Sequence, residues 1–415
     1  MIPLALDEVR ELATGELTVA PGAEEVTGVH VDSRKVEPGD LFVAVGRGAE
    51  FADDALARGA AAALVPDEPF AAFAALGRAV RDRSGARVVG ITGSTGKTST
   101  KDILAALCAP SARTIAAEAS FNNEIGVPLT LCRLEPDTEV CILELAMRGF
   151  GQIAELCEIA RPEIGVITNV GPAHLELVGS LEGVLRAKGE LVAGLAPGGT
   201  AIVPADFPVE RDDVTVVRLN EPEVDFEGDR AIVGGVSFNI STRHQAANAA
   251  AALAALDALG LPRPARVDVE LSRWRGEEVP LPGGGLLIND AYNANPVSMR
   301  AALVQLAERA AGRRRVAILG DMAELGPGAE AFHREIGELA ASQGVETLVA
   351  VGDLARGYVE GASGVPVTRW IPDAVTAAAE AHELVEPGDC VLVKASRAVG
   401  LEAVAEALAA AQVRL

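Results

Sequence analysis

The chain has 415 residues, 49% of them hydrophobic and 3% aromatic, with a formal charge of −23 at pH 7. That length predicts roughly two to three domains of about 150 residues each, with cores built from Ala, Val and Leu. The acidic balance argues against nucleic acid as a bulk partner, because nothing would offset phosphate repulsion, and leaves room for small anionic substrates held by local donors.

In chain order, three segments separate by pattern. The first, residues 1–85, holds short strands at Gly28–Asp32 and Asp40–Ala44 and a helix–strand unit ending at Ala63-Leu64-Val65. The stretch Ala71–Ser84 then carries the chain toward the second segment, residues 86–275. There, short apolar runs recur at Val140–Leu143, Ile164–Ile167 and Thr200–Val203, with helical patterns such as Leu181–Leu195 between them. That alternation predicts a parallel sheet covered on both faces, whose strand ends gather in one crevice. The third segment, residues 276–415, repeats it at Leu286–Ile288, Val316–Leu319, Leu348–Val351 and Val391–Val393. It reads as a second doubly wound domain and lacks a G-x-G-x-x-G turn, so no dinucleotide site is expected. The fold class is therefore α/β.

The five cysteines (Cys108, Cys132, Cys141, Cys157, Cys390) are scattered, with no C-x-x-C pair, and read as reduced thiols of a cytoplasmic protein. Met1–Glu8 lacks the basic region and apolar core of a signal peptide. No run reaches the ~18 uninterrupted apolar residues of a membrane span. The Ala-rich stretch Ala246–Leu259 carries Asn248 and Asp257 and reads as a buried helix.

Chemistry concentrates at the start of the second segment. The apolar strand before Thr92 runs into Gly93-Ser94-Thr95-Gly96-Lys97-Thr98-Ser99, with a helix expected from near Thr98. Glycines let backbone N–H groups close around phosphate oxygens, and the helix N-terminus adds its dipole. Lys97 would reach the terminal phosphates and the Thr98 hydroxyl would ligate Mg²⁺. Ile91 stands where the strict G-x-x-x-x-G-K-[ST] pattern wants Gly, so the loop is a shorter G-x-x-G-K-T variant.

Other candidates lie at strand ends. Glu144 closes an apolar strand, and a carboxylate there costs desolvation unless it is paired or binds a cation; the other reading is a surface glutamate at a strand exit. Asn169 and His174 follow the next strand, and a loop histidine alone is as compatible with a hydrogen-bonded surface residue. Lys188 lies within a helical pattern that by itself suggests a solvated face. Arg275, after Trp274, sits at a segment joint, where an arginine can either swing onto a phosphate or make a linker salt bridge. Asp290–Pro296 and Gly320–Gly326 are polar loops after successive strands, either turn chemistry or a binding surface.

Phe121-Asn122-Asn123-Glu124-Ile125-Gly126-Val127-Pro128-Leu129-Thr130, the Asp290–Pro296 loop continuing to Ser298-Met299, and Gly320–Gly326 together resemble the Mur ligase family. The resemblance spans nearly the whole chain. It implies three domains: a small UDP-sugar-binding α/β domain (1–85), a central P-loop ATP-binding domain (86–275) and a C-terminal Rossmann-like ligase domain (276–415). It implies an ATP-dependent, ADP-forming ligase that joins UDP-N-acetylmuramoyl tripeptide to D-alanyl-D-alanine, working as a monomer in the cytoplasm without nucleic acid or membrane. It further implies that Glu144 and His174 ligate Mg²⁺, that Lys188 is carbamylated and helps hold a second Mg²⁺, and that Asn248 lies near adenine. By the same resemblance Arg275 serves the γ-phosphate, and Asp290 and Asn293 face the nucleotide. Ser33 and Arg34 fall at the uridine-diphosphate site, with Asn122 and Asn123 as further substrate-binding positions.

Two departures stand out. Ala49-Glu50-Phe51 replaces the family's Asp-Gly-His, so no UDP contact is assigned there. Thr242-Arg243-His244-Gln245 replaces Gly-x-His-Asn, and the shorter stretch Asn220–Ser241 predicts a lost peripheral strand. The competing readings are a related ligase such as folylpolyglutamate synthetase, which lacks the UDP-sugar domain, and a non-catalytic ATP-binding scaffold.

Overall fold

A computed structural model describes residues 1–228 and 230–410. It divides into two compact units, one of residues 1–169 and 186–270, the other of residues 170–185 and 271–415.

The first unit contains two principal sheets. A four-stranded sheet orders Gly15–Val19, Ala62–Pro66, Asp40–Val43 and Gly28–His30 side by side, with only the first pair antiparallel. The second is six-stranded, in the order Thr215–Leu219, Thr200–Pro204, Ile164–Ile167, Arg87–Thr92, Val140–Glu144, Thr114–Ala116. Every pairing in it is parallel. Arg87–Thr92 and Val140–Glu144 are neighbours with Ile91 opposite Glu144. The end of the phosphate-loop strand and the Glu144 carboxylate therefore emerge at the same edge. Thr92 and Ile167 are likewise paired, which brings Thr168 and Asn169 beside the loop. These strands are apolar because both faces are covered: the helices Lys97–Cys108 and Arg243–Ala258 pack together. The small residues of the second, with Ala246, Ala249 and Ala252 fully buried, permit that approach. The stretch expected to have lost a strand holds three short antiparallel ones, Val224–Glu227, Arg230–Val233 and Val236–Phe238.

The second unit is built on a six-stranded sheet in the order Glu277–Leu281, Gly285–Asp290, Cys390–Lys394, Arg315–Gly320, Thr347–Val351, Val367–Ile371. Only the first strand is antiparallel. Alternation along the strands sends Ile288, Leu319 and Leu392 into one core and Leu287, Ile318 and Val391 into the other, as a period of two requires. The helix Pro296–Ala310 follows the polar loop after Asp290. Asn295 and Ser298 form a reciprocal capping box at its start, worth about 1 kcal/mol. Two further helices, Ala329–Ser342 and Arg356–Gly361, touch backbone to backbone: a Cβ at Gly337 would lie 2.1 Å from the Tyr358 carbonyl oxygen. Among the described residues no helix is long and apolar enough to cross a membrane.

Candidate active site

The glycine-rich turn of the first unit is fixed by neighbouring strand ends rather than by its own sequence alone. Gly93 and Gly96 take φ of 151° and 79°, a region that side chains rarely occupy. A Cβ at Gly93 would fall 1.9 Å from Thr168 Oγ1, and one at Gly96 would fall 2.3 Å from Asn248 Oδ1. The Thr95 N–H donates to Asn169 Oδ1 at 3.0 Å, the Ser94 N–H donates to the Asn169 carbonyl at 3.1 Å, and Asn169 Nδ2 donates back to Thr95 Oγ1 at 2.7 Å. Asn169 thus holds the loop open in one shape. The helix begins at Lys97, one residue before the expected start, with Gly96 as its N-cap. Lys97 Nζ donates to the Gly93 carbonyl at 2.8 Å. Its ammonium therefore lies folded over the loop.

Glu144 is 1% exposed, so the reading of a surface glutamate at a strand exit is wrong. Thr98 Oγ1 donates to its Oε2 at 2.6 Å, and Asn122 Nδ2 donates to its Oε1 at 2.8 Å. Both partners are neutral. A buried carboxylate held by two neutral donors is a group that a cation would stabilise. Hydroxyl and carboxylate oxygens are the donors that Mg²⁺ takes. Among the described residues no group of three or more His, Cys, Asp or Glu side chains could hold a metal. The oxygens beyond Thr98 and Glu144 would then come from phosphate and water, the usual pattern for this ion.

Lys188 is also buried, not on a solvated face, at 2% exposure. Burial first, and the Lys97 charge second, hold its amine well below the usual lysine range. The adenine-side candidate Asn248 is 3% exposed, and its Nδ2 has no hydrogen-bond partner among the described residues. Such an orphaned buried amide costs about 1–3 kcal/mol and fits a donor kept for a ligand.

The other first-unit candidates divide. Asn122 joins the Glu144 cluster. Asn123 Oδ1 accepts instead from the Gly126 N–H at 3.0 Å, at the start of the helix Gly126–Leu131. Ser99 is buried on the first turn after the loop. Ser33 Oγ donates to Asp54 Oδ2 at 2.9 Å. Arg34 forks onto Asp32 at 2.9 and 2.8 Å and holds that carboxyl well below the usual carboxylate range.

Four candidates lie in the second unit. His174 Nδ1 is 2.5 Å from Glu324 Oε2. Asp290 and Lys394, paired across adjacent parallel strand ends, form an ion pair at 2.5 Å. Lys394, only 2% exposed, donates also to the Asn293 carbonyl at 2.8 Å. Arg275 stacks on Tyr292, 4.0 Å from guanidinium carbon to ring centroid, and its buried Nε has no hydrogen-bond partner among the described residues. Lys394-Ala395-Ser396-Arg397 follows a strand and reads from sequence as either a carboxylate-binding segment or a helix start, but the sequence does not pair Lys394 with Asp290 or Glu324 with His174. The polar loop after Gly320 was the one signal for the latter.

That loop is firmly seated. The Met322 N–H donates to His333 Nε2 at 3.0 Å, the Ala323 N–H to Ser396 Oγ at 2.9 Å, and the Ala355 N–H to Asp321 Oδ1 at 2.7 Å. His333 is fully buried, and burial lowers its pKa from the ordinary value, which keeps Nε2 an acceptor.

Comparison with known proteins finds relatives along nearly the whole chain. Residues 91–256 match the Mur ligase middle domain, and residues 274–397 match the Mur ligase glutamate ligase domain. A Mycobacterium tuberculosis protein named UDP-N-acetylmuramoyl-tripeptide–D-alanyl-D-alanine ligase is 36% identical, over 99% of this chain and 98% of its own. A crystal structure of MurF from Acinetobacter baumannii superposes with a TM-score of 0.86 at 26% identity, covering 98% of this chain and 99% of that one. MurF ligase from Thermotoga maritima in complex with ADP gives 0.80 at 27% identity, covering 94% and 99%.

The Glu144 geometry makes a prediction that separates binding from folding. Glu144→Gln removes the buried charge and keeps the shape. The nucleotide-free variant should melt at the wild-type temperature or above it. The added thermal shift from ATP with Mg²⁺ should vanish. A large drop in the nucleotide-free melting temperature would show that Glu144 is held by the fold, not reserved for a cation.

Proposed function

The chain belongs to the Mur ligase family, and we propose that it joins UDP-N-acetylmuramoyl tripeptide to D-alanyl-D-alanine at the expense of ATP, in the cytoplasm and as a monomer. The observation that carries this reading is the buried Thr98–Glu144 pair beneath a braced phosphate loop. The full-length likeness to proteins of that name supports the choice of substrates. We assign residues 1–85 to the UDP-sugar, 86–275 to ATP and 276–415 to the ligase domain. The separate four-stranded and parallel six-stranded sheets of the first unit support the division near residue 85.

The loop amides from Gly93 to Ser99 cradle the phosphates, and Lys97 exchanges its bond to Gly93 for the terminal phosphates. Thr98 and Glu144 would hold Mg²⁺, which supplies positive charge against the phosphate oxygens. Asn248 offers its amide to the base. Ser33, Arg34, Asn122 and Asn123 keep their substrate-side assignments; for Asn122 the place on Glu144 makes this indirect. In the second unit His174 would be a cation ligand, Arg275 would serve the γ-phosphate, and Asp290 and Asn293 would face the nucleotide.

The reaction follows from the chemistry of the groups. The tripeptide's terminal carboxylate attacks the γ-phosphorus, ADP leaves, and an acyl phosphate forms. The free amine of D-alanyl-D-alanine then attacks the acyl carbon, expelling phosphate and losing a proton. Lys97 offsets charge that grows on the transferring group, an effect largest where water is excluded.

The direct test is phosphate release from Mg-ATP. Release should need both the tripeptide and the dipeptide, and the pentapeptide should appear by mass. Lys97→Ala should lower turnover by about 10³-fold or more while leaving binding of the UDP substrate nearly unchanged. Turnover that survives this change would remove the phosphate-loop assignment. Absence of release with the dipeptide present would favour a ligase with another acceptor.

Lys188 supplies a pH test. Burial first and the Lys97 charge second hold the pKa of this amine in the folded chain well below its unfolded value of about 10.4. Between the folded and unfolded values the unfolded state binds more protons, so burying Lys188 weighs fully against stability below the folded value and less as pH rises toward the unfolded one. A neutral amine is the form that reacts with CO₂. With ¹³C-bicarbonate the protein should give a carbamate resonance that Lys188→Ala lacks, and turnover should fall as acid discharges the carbamate. A protein that shows no such resonance at any pH would leave Lys188 as a plain buried amine.

A further inference from the structure

We propose that Glu324 is a positioning residue for His174, fixing the tautomer in which Nδ1 carries the proton and Nε2 the lone pair. The proposal rests on the reading of His174 as a cation ligand and extends it to a residue with no assigned role.

Two backbone observations and one contact carry it. His174 and Glu324 are both non-glycine residues in the left-handed region, with φ of 56° and 61°. Such conformations are costly for these side chains and persist where surrounding structure imposes them. The two strained residues meet: Nδ1 lies 2.5 Å from Glu324 Oε2, and the Glu176 N–H donates to the Glu324 carbonyl at 3.2 Å. Two unfavourable backbones thus serve one contact. The loop bearing Glu324 is anchored from behind by His333 and Ser396, so the carboxylate is presented from a fixed base.

The chemistry gives the contact its direction. An ionised carboxylate only accepts hydrogen bonds, so the imidazole donates from Nδ1. Nε2 is then the nitrogen that can coordinate. An unconstrained imidazole prefers its proton on Nε2, which blocks coordination there. Carboxylates commonly orient metal-binding histidines in this way, and their loss lowers metal affinity by about 10–100-fold.

The test uses metal-free protein with ¹⁵N-labelled histidine at pH 8.5. The chain has five histidines, and His174→Ala identifies the signal of interest. The wild type should show His174 protonated on Nδ1. Glu324→Gly, which suits the left-handed backbone and so protects folding, should move the proton to Nε2 and raise the Mg²⁺ concentration needed for half-maximal turnover by about 10–100-fold. Glu324→Gln, which keeps an acceptor oxygen, should retain the tautomer and recover part of the affinity. A wild-type Nε2 proton, or an unchanged tautomer in Glu324→Gly, overturns the proposal. If His174→Ala keeps wild-type turnover and Mg²⁺ requirement, the ligand reading of His174 fails and the functional half of the proposal falls with it. If His174→Ala loses turnover while Glu324→Gly does not, the ligand reading stands and the positioning role is refuted.

Discussion

A carboxylate sealed in the first unit between a threonine hydroxyl and an asparagine amide sets the terms for everything around it. Glu144 ends a strand whose neighbour delivers the phosphate loop, and register places it opposite Ile91. Thr98, on the first turn after the loop, closes on it at 2.6 Å. Sheet register, helix start and loop conformation must all be right for this one contact to form. Hydroxyl and carboxylate oxygens set together in this way are donors that a divalent cation would take. The loop is held ready by Asn169, on the next strand end over, so binding need not first order the backbone.

The second unit applies the same logic with opposite charge. Lys394 is buried where two parallel strands end, and Asp290 and the Asn293 carbonyl compensate it. Removing Asp290 would leave the Lys394 charge buried and uncompensated, which is far costlier than losing a surface pair. The loops after Asp290 and Gly320 are consequently fixed presentations of side chains rather than mobile connections. Ser396 ties them together, donating to the Ala294 carbonyl and accepting from the Ala323 N–H.

What the sequence made legible was local. The phosphate loop is contiguous, and its glycines, lysine and threonine announce the turn and helix start. The buried central strands stood out as apolar runs because both faces are covered. The edge strands did not. Glu277–Leu281, Thr215–Leu219 and Val367–Ile371 are half exposed, so they show no continuous apolar run, and the first contains Pro280. Contacts between distant positions were equally hidden: Thr98 and Glu144 are 46 residues apart, and Asp290 and Lys394 are 104 apart. Lys188 shows the limit clearly. Its helical pattern suggested a solvated face, and only tertiary packing reveals a fully enclosed amine. Asn123 is a polar residue in a family motif whose Oδ1 accepts from the Gly126 N–H at the start of a helix, a contact the sequence did not show.

In the proposed reaction, phosphoryl transfer to a carboxylate precedes amide-bond formation. The most direct test is to label the tripeptide's terminal carboxylate with ¹⁸O and analyse the phosphate released on reaction with ATP and D-alanyl-D-alanine. An acyl phosphate requires that one labelled oxygen leave with each phosphate. Unlabelled phosphate, released while pentapeptide forms, would mean that water and not the carboxylate receives the phosphoryl group, which contradicts an acyl-phosphate route.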